Sequence, residues 1–123
     1  MNDNEKIKLL YSKGMRCYKN GDYFNAHEYW EELWSDYYLE DRKFIQGLIQ
    51  LAVSFVHLQN GNLKGAKSLL KKCEEKFERF SDIHRDIDVS ELLAQISLVH
   101  SNYNSLKNLG DFDWELVPNL GIK

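Results

Sequence analysis

The sequence predicts an all-α protein: a compact bundle of five main helices, built from antiparallel helical hairpins around a central buried helix. Two observations support this fold class. Apolar residues recur at helical spacings of three and four in successive stretches, and the 123 residues include one proline, Pro118. A chain of this length buries roughly two thirds of its unfolded surface on folding. We therefore expect one domain over residues 1–110 and an apolar tail over residues 111–123.

The central helix is predicted for Arg42–Gln59, RKFIQGLIQLAVSFVHLQ, because its apolar residues run nearly all the way round a helix. Its purest apolar part is well short of the roughly 20 residues that a membrane span requires. We therefore expect a core helix and no membrane partner. Gln46, Gln50 and His57 nevertheless share a narrow polar stripe on this helix.

The other helices are predicted from apolar spacing and from residues that cap or stop helices. Asn20-Gly21 and Asn60-Gly61 end two of them, because glycine readily adopts the left-handed conformation at a helix end. Residues 81–89 are expected to be a polar connector. The predicted segments are Asn4–Lys19, Asp22–Asp36, Asn62–Phe80 and a last helix from Ser90.

The tail after Gly110, DFDWELVPNLGIK, has no helical period but is too apolar to be freely disordered. Its apolar residues are Phe112, Trp114, Leu116, Val117 and Ile122. We expect the tail to lie on the bundle or in a groove of a partner subunit. The aromatic content also favours a homodimer that uses the tail or the last helix.

Polar side chains converge where the second helix faces the central one. The sequence NAHEYWEELW places His27, Glu31 and Trp34 on one face of the second helix. An antiparallel neighbour would bring the polar stripe of the central helix opposite this face. The predicted polar pocket comprises His27, Glu28, Glu31, Gln46, Gln50 and His57, with Trp30 and Trp34 as its aromatic wall.

Two interpretations of this polar pocket remain open. It is either a buried hydrogen-bond network that fixes helix register or a binding site. Imidazole and carboxylate groups between helices would suit a divalent transition metal such as zinc, iron or manganese, held by His27, Glu31 and His57. The sequence HEYWE matches neither the His-Glu-x-x-His nor the Glu-x-x-His metal motif, and no nucleophile motif is present, so catalytic residues are not predicted.

The bulk composition argues against some partners. A formal charge of −3 with interspersed signs gives no reason to expect a nucleic acid partner. The start MNDNEKIKLL has no apolar signal core, so we expect a cytoplasmic location. Cys17 and Cys73 are then expected to be reduced.

Two stretches, GDYFNAHEYWEELW and FIQGLIQLAVSFVHLQNGNLKGA, closely resemble the signature of small bacterial proteins called domain of unknown function 309. The resemblance covers about residues 11–70, and the last helix and the tail match loosely. It implies a compact all-helical cytoplasmic protein and brings no established activity. The family's shared polar residues map onto His27, Glu28, Glu31, Gln50 and His57.

These observations favour a structural, ligand-binding or protein-interaction module with a polar seam between the second and third helices. The two Asn-Gly turns are also similar to those of tetratricopeptide hairpins, although no repeat of about 34 residues is present. The alternative is a small, hydrolase-like metal-dependent enzyme that uses His27, Glu31 and His57.

Overall fold

The computed structural model describes residues 1–121, and this range forms five α-helices and one small hairpin. The strands β1 (Ile83–His84) and β2 (Ile87–Asp88) pair in antiparallel fashion. The all-α prediction is confirmed. The helices are α1 (Asp3–Lys19), α2 (Tyr23–Asp36), α3 (Arg42–Gln59), α4 (Leu63–Phe77) and α5 (Val89–Ser105).

Helix boundaries follow the predicted capping residues. The Asp22 carboxylate accepts a hydrogen bond from the Asn25 backbone N–H, and the Asn62 amide oxygen accepts one from the Gly65 N–H at 2.9 Å. The helix α1 begins at Asp3, one residue before the predicted start at Asn4, and its cap is Asn2. Gly21 follows α1 at a positive φ of 78°, which is the left-handed stop expected there.

The helix α3 lies at the centre and packs against both α2 and α4. Its apolar side chains Phe44, Leu48, Leu51 and Phe55 are fully buried. Gly47 permits a close approach of α4, because a Cβ at this position would lie 2.8 Å from the ring of Phe77. None of the helices within residues 1–121 combines the length and the hydrophobicity needed to cross a membrane.

A buried hydroxyl fastens α5 to the centre of the bundle. The Ser54 Oγ donates to the carbonyl oxygen of Ala66 at 2.7 Å, and it accepts from the Tyr103 hydroxyl at 2.9 Å. Both side chains are fully buried, and each hydrogen-bonding hydroxyl has a partner. This contact joins α3, α4 and α5 at one point.

The segment 81–89, expected to be a connector, contains the β-hairpin instead. Its two turn residues, Arg85 and Asp86, have positive φ values of 50° and 62°. Hairpin turns of this kind usually carry Asn-Gly, so the sequence lacked the usual signal. The Asp41 carboxylate accepts hydrogen bonds from His84 Nε2 at 2.8 Å and from Arg85 Nη2 at 3.0 Å, with a further bond from Arg85 Nε. These bonds tie the hairpin to the start of α3.

The chain after α5 returns over the bundle through two short 3-10 turns, Leu109–Asp111 and Trp114–Leu116. Phe112 and Leu120 are buried against the hydrophobic core. The Tyr18 hydroxyl donates to the backbone carbonyl of Pro118 at 2.7 Å. Ile122, named above with the apolar tail residues, lies outside the described residues.

The contact between Asp41 and the hairpin should make stability depend on pH. Burial raises the pKa of Asp41, but the hydrogen bonds from Arg85 and His84 outweigh burial and hold this pKa below its ordinary value. Because the pKa of Asp41 is lowered on folding, the ionised carboxylate stabilises the fold at pH values above its unfolded-state pKa of about 3.9. This contribution is lost as the pH falls through the folded-state pKa. We expect Asp41→Asn to lower the free energy of unfolding by about 1.5–3 kcal/mol at pH 7.

Urea unfolding of both proteins between pH 7 and pH 3 tests this expectation. The difference in the free energy of unfolding between the parent protein and Asp41→Asn should stay constant at neutral pH and shrink in the acid range. Asp82→Asn, in the same segment and exposed, is the matched control and should change stability little. A difference that grows as the pH falls would contradict the assignment.

Candidate functional site

A small cavity lies between α2 and α3, and we call it the α2–α3 cavity. Its volume is about 200 Å³, and it is lined by Glu31, Trp34, Gln46, Ile49 and Gln50. Four residues of the predicted polar pocket and its aromatic wall therefore meet here. They do so because α2 and α3 pack against each other along the faces that carry these residues.

Two polar atoms in the residues that line this cavity are buried without a hydrogen-bond partner among residues 1–121. One is the donor Trp34 Nε1, and the other is the acceptor Gln50 Oε1. An unsatisfied buried donor or acceptor costs about 1–3 kcal/mol, so such groups are rare in folded proteins. Satisfying both atoms would take a group that reaches them and supplies an acceptor for the indole N–H and a donor for the amide oxygen.

An aromatic and cationic rim lies beside the α2–α3 cavity. The guanidinium carbon of Arg42 is 4.3 Å from the ring centroid of Trp34 and 5.5 Å from that of Tyr38. Tyr38 is 85% exposed, and Glu31 is also exposed. The rim therefore offers a stacked arginine and an accessible phenol ring to solvent.

The other predicted pocket residues lie elsewhere. The His27 Nδ1 is 2.5 Å from the carbonyl oxygen of Phe24, and its Nε2 is 3.9 Å from Glu28. The Asn62 side-chain amide donates to the Nδ1 of His57 at 3.4 Å. Neither histidine lines the cavity, nor does Glu28. Both imidazoles contact groups close to them in sequence, which the spacing argument did not consider.

Trp30, predicted for the aromatic wall, faces α1. Its Nε1 donates to the carbonyl oxygen of Tyr11 at 3.3 Å, and its side chain is fully buried. A Cβ at Gly14 would lie 2.1 Å from this nitrogen. The indole therefore fills the α1–α2 contact, and Trp34 is the tryptophan at the cavity.

The residues considered for a metal do not assemble into a three-ligand site. Among residues 1–121, no group of three or more His, Cys, Asp or Glu side chains is placed to hold a metal ion. His27, Glu31 and His57 therefore do not form the donor set that the sequence suggested. Across the same residues, no direct hydrogen bond joins Glu31 to Gln50 or to a histidine.

The sequence analysis missed Tyr38, Arg42 and Ile49 as residues of the site or its rim. A usable signal was present, because Tyr38 lies in the short loop between α2 and α3 and Arg42 opens α3 directly after that loop. Arginine often stacks on aromatic rings, so an arginine only a few residues after Trp34 and Tyr38 indicated a contact with them. The half-buried position of Asp41 beside His84 and Arg85 had no comparable signal, since Asp41 is far from the other two residues in sequence.

Comparison with known proteins relates this chain to an uncharacterised family. One relative is an "Uncharacterized protein" of Aquifex aeolicus (strain VF5), 26% identical over 91 residues, which cover 73% of this chain and 27% of the relative. The chain thus spans about a quarter of the length of that relative. The family model described as "Domain of unknown function (DUF309)" matches residues 11–69, a range that includes the whole lining of the α2–α3 cavity. The match confirms the predicted resemblance: over residues 11–69, this chain is similar to the DUF309 family.

Proposed function

We propose that this chain is a protein-interaction module whose α2–α3 cavity receives the side-chain carboxamide of an Asn or Gln residue on a partner protein. The observation that carries the proposal is the unpartnered pair, Trp34 Nε1 and Gln50 Oε1. A primary carboxamide has an oxygen that accepts from the indole N–H and an NH₂ group that donates to the Gln50 oxygen. One ligand group would satisfy both atoms.

The size of the cavity supports a side chain as the occupant. Its volume of about 200 Å³ lies below the range of about 300–1,000 Å³ that is usual for small-molecule sites. A carboxamide with its methylene groups has this size, and a nucleotide or a large cofactor does not. Ile49 supplies an apolar wall for the methylene groups.

The rim supports a protein chain, rather than a free small amide, as the source of the carboxamide. Trp, Tyr and Arg are the residues that most often dominate the binding energy of protein interfaces. Here Tyr38 and Arg42 lie next to Trp34 and can contact chain on either side of an inserted residue. No observation within residues 1–121 favours the metal-dependent hydrolase that was the alternative.

Proton–nitrogen NMR of the full chain can test this function through the indole N–H of Trp34. The probes are an acetylated Ala-Gln-Ala peptide with an N-methyl amide end, the same peptide with Glu in place of Gln, and propionamide. We expect the Gln peptide to shift the Trp34 indole signal in a saturable way and the Glu peptide to do so much less. The Trp30 indole, already bonded to Tyr11, is an internal control and should not shift.

Variants separate the two sources of a carboxamide. Tyr38→Ala should lower the affinity for the Gln peptide and leave the affinity for propionamide unchanged, because only a peptide reaches the rim. Phe24→Ala, an exposed aromatic residue elsewhere on the surface, is the matched control and should alter neither. Equal responses to the Gln and Glu peptides, or no response at Trp34, would overturn the proposal.

The proposal also predicts that the cavity reduces stability in the absence of a partner. Gln50→Leu removes a buried acceptor without a partner, so we expect the free energy of unfolding to rise by about 1 kcal/mol. Urea unfolding measures this change. Gln59→Leu, at the exposed end of the same helix, should stay within about 0.5 kcal/mol of the parent protein. A loss of stability in Gln50→Leu would mean that the amide has a structural partner.

A further inference from the structure

Opposite charges are unevenly distributed along this chain. Of its 19 Asp or Glu residues and 16 Lys or Arg residues, residues 21–50 contain seven and two, respectively. The two bases are Arg42 and Lys43, and one of the seven acids, Asp41, pairs with Arg85. Six further carboxylates therefore outnumber two cations in the segment that forms α2 and the first half of α3. Both walls of the α2–α3 cavity come from this acidic segment.

Four exposed carboxylates of this segment form what we call the acidic face of α2. They recur at spacings of three and four, so they share the outward side of the helix. One of them, Glu31, also lines the α2–α3 cavity, so the acidic face extends to the edge of the cavity. The four residues of the acidic face are Glu28, Glu31, Glu32 and Asp36.

The acidic face has few ionic partners within residues 1–121. The ion contact recorded for it there joins Glu28 to His27, its neighbour in sequence, at 3.9 Å. Cations that reach α2 from other helices lie over its aromatic rings instead. The Lys13 ammonium is 5.5 Å from the ring centroid of Tyr29, and the Arg42 guanidinium carbon is 4.3 Å from that of Trp34. The outward carboxylates therefore remain largely uncompensated.

The acidic face does not stabilise the helix that carries it. Glu28 and Glu32 are four residues apart, as are Glu32 and Asp36, and like charges at this spacing destabilise a helix. Asp36 is the last residue of α2, where the helix dipole favours a cation, and the last turn contains no basic residue. A partner that neutralised these charges would relieve the repulsion.

We propose that the partner segment that inserts the carboxamide is basic, with a Lys or Arg side chain next to the inserted residue that pairs with the acidic face of α2. This inference rests on the proposed function, because the cavity fixes where the segment binds. The unpartnered atoms of Trp34 and Gln50 point to a ligand at this place independently of the charges. Glu31 at the cavity edge is the first carboxylate that a flanking cation meets, and an acidic segment would be repelled.

Three peptides with acetyl and N-methyl amide ends test the inference by NMR: Lys-Gln-Lys, Ala-Gln-Ala and Glu-Gln-Glu. Their affinities would be measured from the Trp34 indole N–H and from the backbone amides of Glu31 and Glu32. At about 10 mM salt, we expect Lys-Gln-Lys to bind about fivefold more tightly than Ala-Gln-Ala, and Glu-Gln-Glu to bind more weakly than both. At about 1 M salt the preference should fall below about twofold, because the screening length shortens from about 30 Å to about 3 Å.

A pair of double variants assigns this preference to the acidic face. Glu28→Gln with Glu32→Gln changes two exposed residues that do not line the cavity. It should remove most of the preference for Lys-Gln-Lys and leave the affinity for Ala-Gln-Ala unchanged. The fold should be at least as stable as the parent in urea, because a like-charge pair is lost. Glu75→Gln with Glu78→Gln makes the same change in net charge at exposed positions at the end of α4 and should leave the preference unchanged.

A fourth peptide, Lys-Ala-Lys, separates this inference from the proposed function. It lacks the carboxamide, so it should shift the backbone amides of Glu31 and Glu32 in a salt-dependent way without a response at Trp34. If that held while the Gln peptides also left Trp34 unchanged, the basic partner would stand and the carboxamide would fail.

Two other results would overturn the basic partner. Equal affinities of the three Gln peptides at low salt, or equal effects of the two double variants, would do so and leave the proposed function intact. Signals of α2 that shift when the free chain is diluted would assign the acidic face to a second copy of this chain, and would also overturn the inference.

Discussion

The burial of α3 is the constraint on which the rest of this structure depends. Apolar side chains around almost the whole circumference of this helix must be covered, so α2 and α4 pack along its two sides. Gly47 brings α4 close to it, and Ser54 fixes α5 through Tyr103. The hairpin is attached to the start of the same helix through Asp41. Each proposed site therefore has at least one wall that is held, directly or through one contact, by α3.

The residues that line the α2–α3 cavity hold two of the three buried polar side-chain atoms that have no hydrogen-bond partner within residues 1–121, and the third is His100 Nε2 on α5. Elsewhere the buried hydroxyls of Ser54 and Tyr18 have partners, and the indole of Trp30 has one too. Trp34 and Gln50 each keep an atom without a partner among residues 1–121, at the same cavity. Buried polar atoms without partners are rare, and two of them in residues that line one cavity are expected at a functional site. This contrast is the reason for placing the binding function there.

The sequence predicted the helices well because helical periodicity and helix ends are local signals. The bounds of α3 and the Asp22 cap follow directly from neighbouring residues. The hairpin was missed because a turn of Arg85 and Asp86 carries no standard hairpin signal, and its stability comes from Asp41, distant in sequence. At the site, spacing placed Glu31, Gln46 and Gln50 together but could not show where long side chains turn. His27 and His57 contact groups near their own helix ends instead.

The central claim is that Trp34 and Gln50 hold the same ligand group, and a double-mutant cycle tests it most directly. The affinity of the Gln peptide would be measured for the parent chain, Trp34→Phe, Gln50→Leu and the double variant. If both side chains bind one carboxamide, the two losses should be strongly non-additive, with a coupling of about 0.5–3 kcal/mol. Losses that add within about 0.3–0.5 kcal/mol would show that the two atoms do not act on a shared group, and would contradict the account.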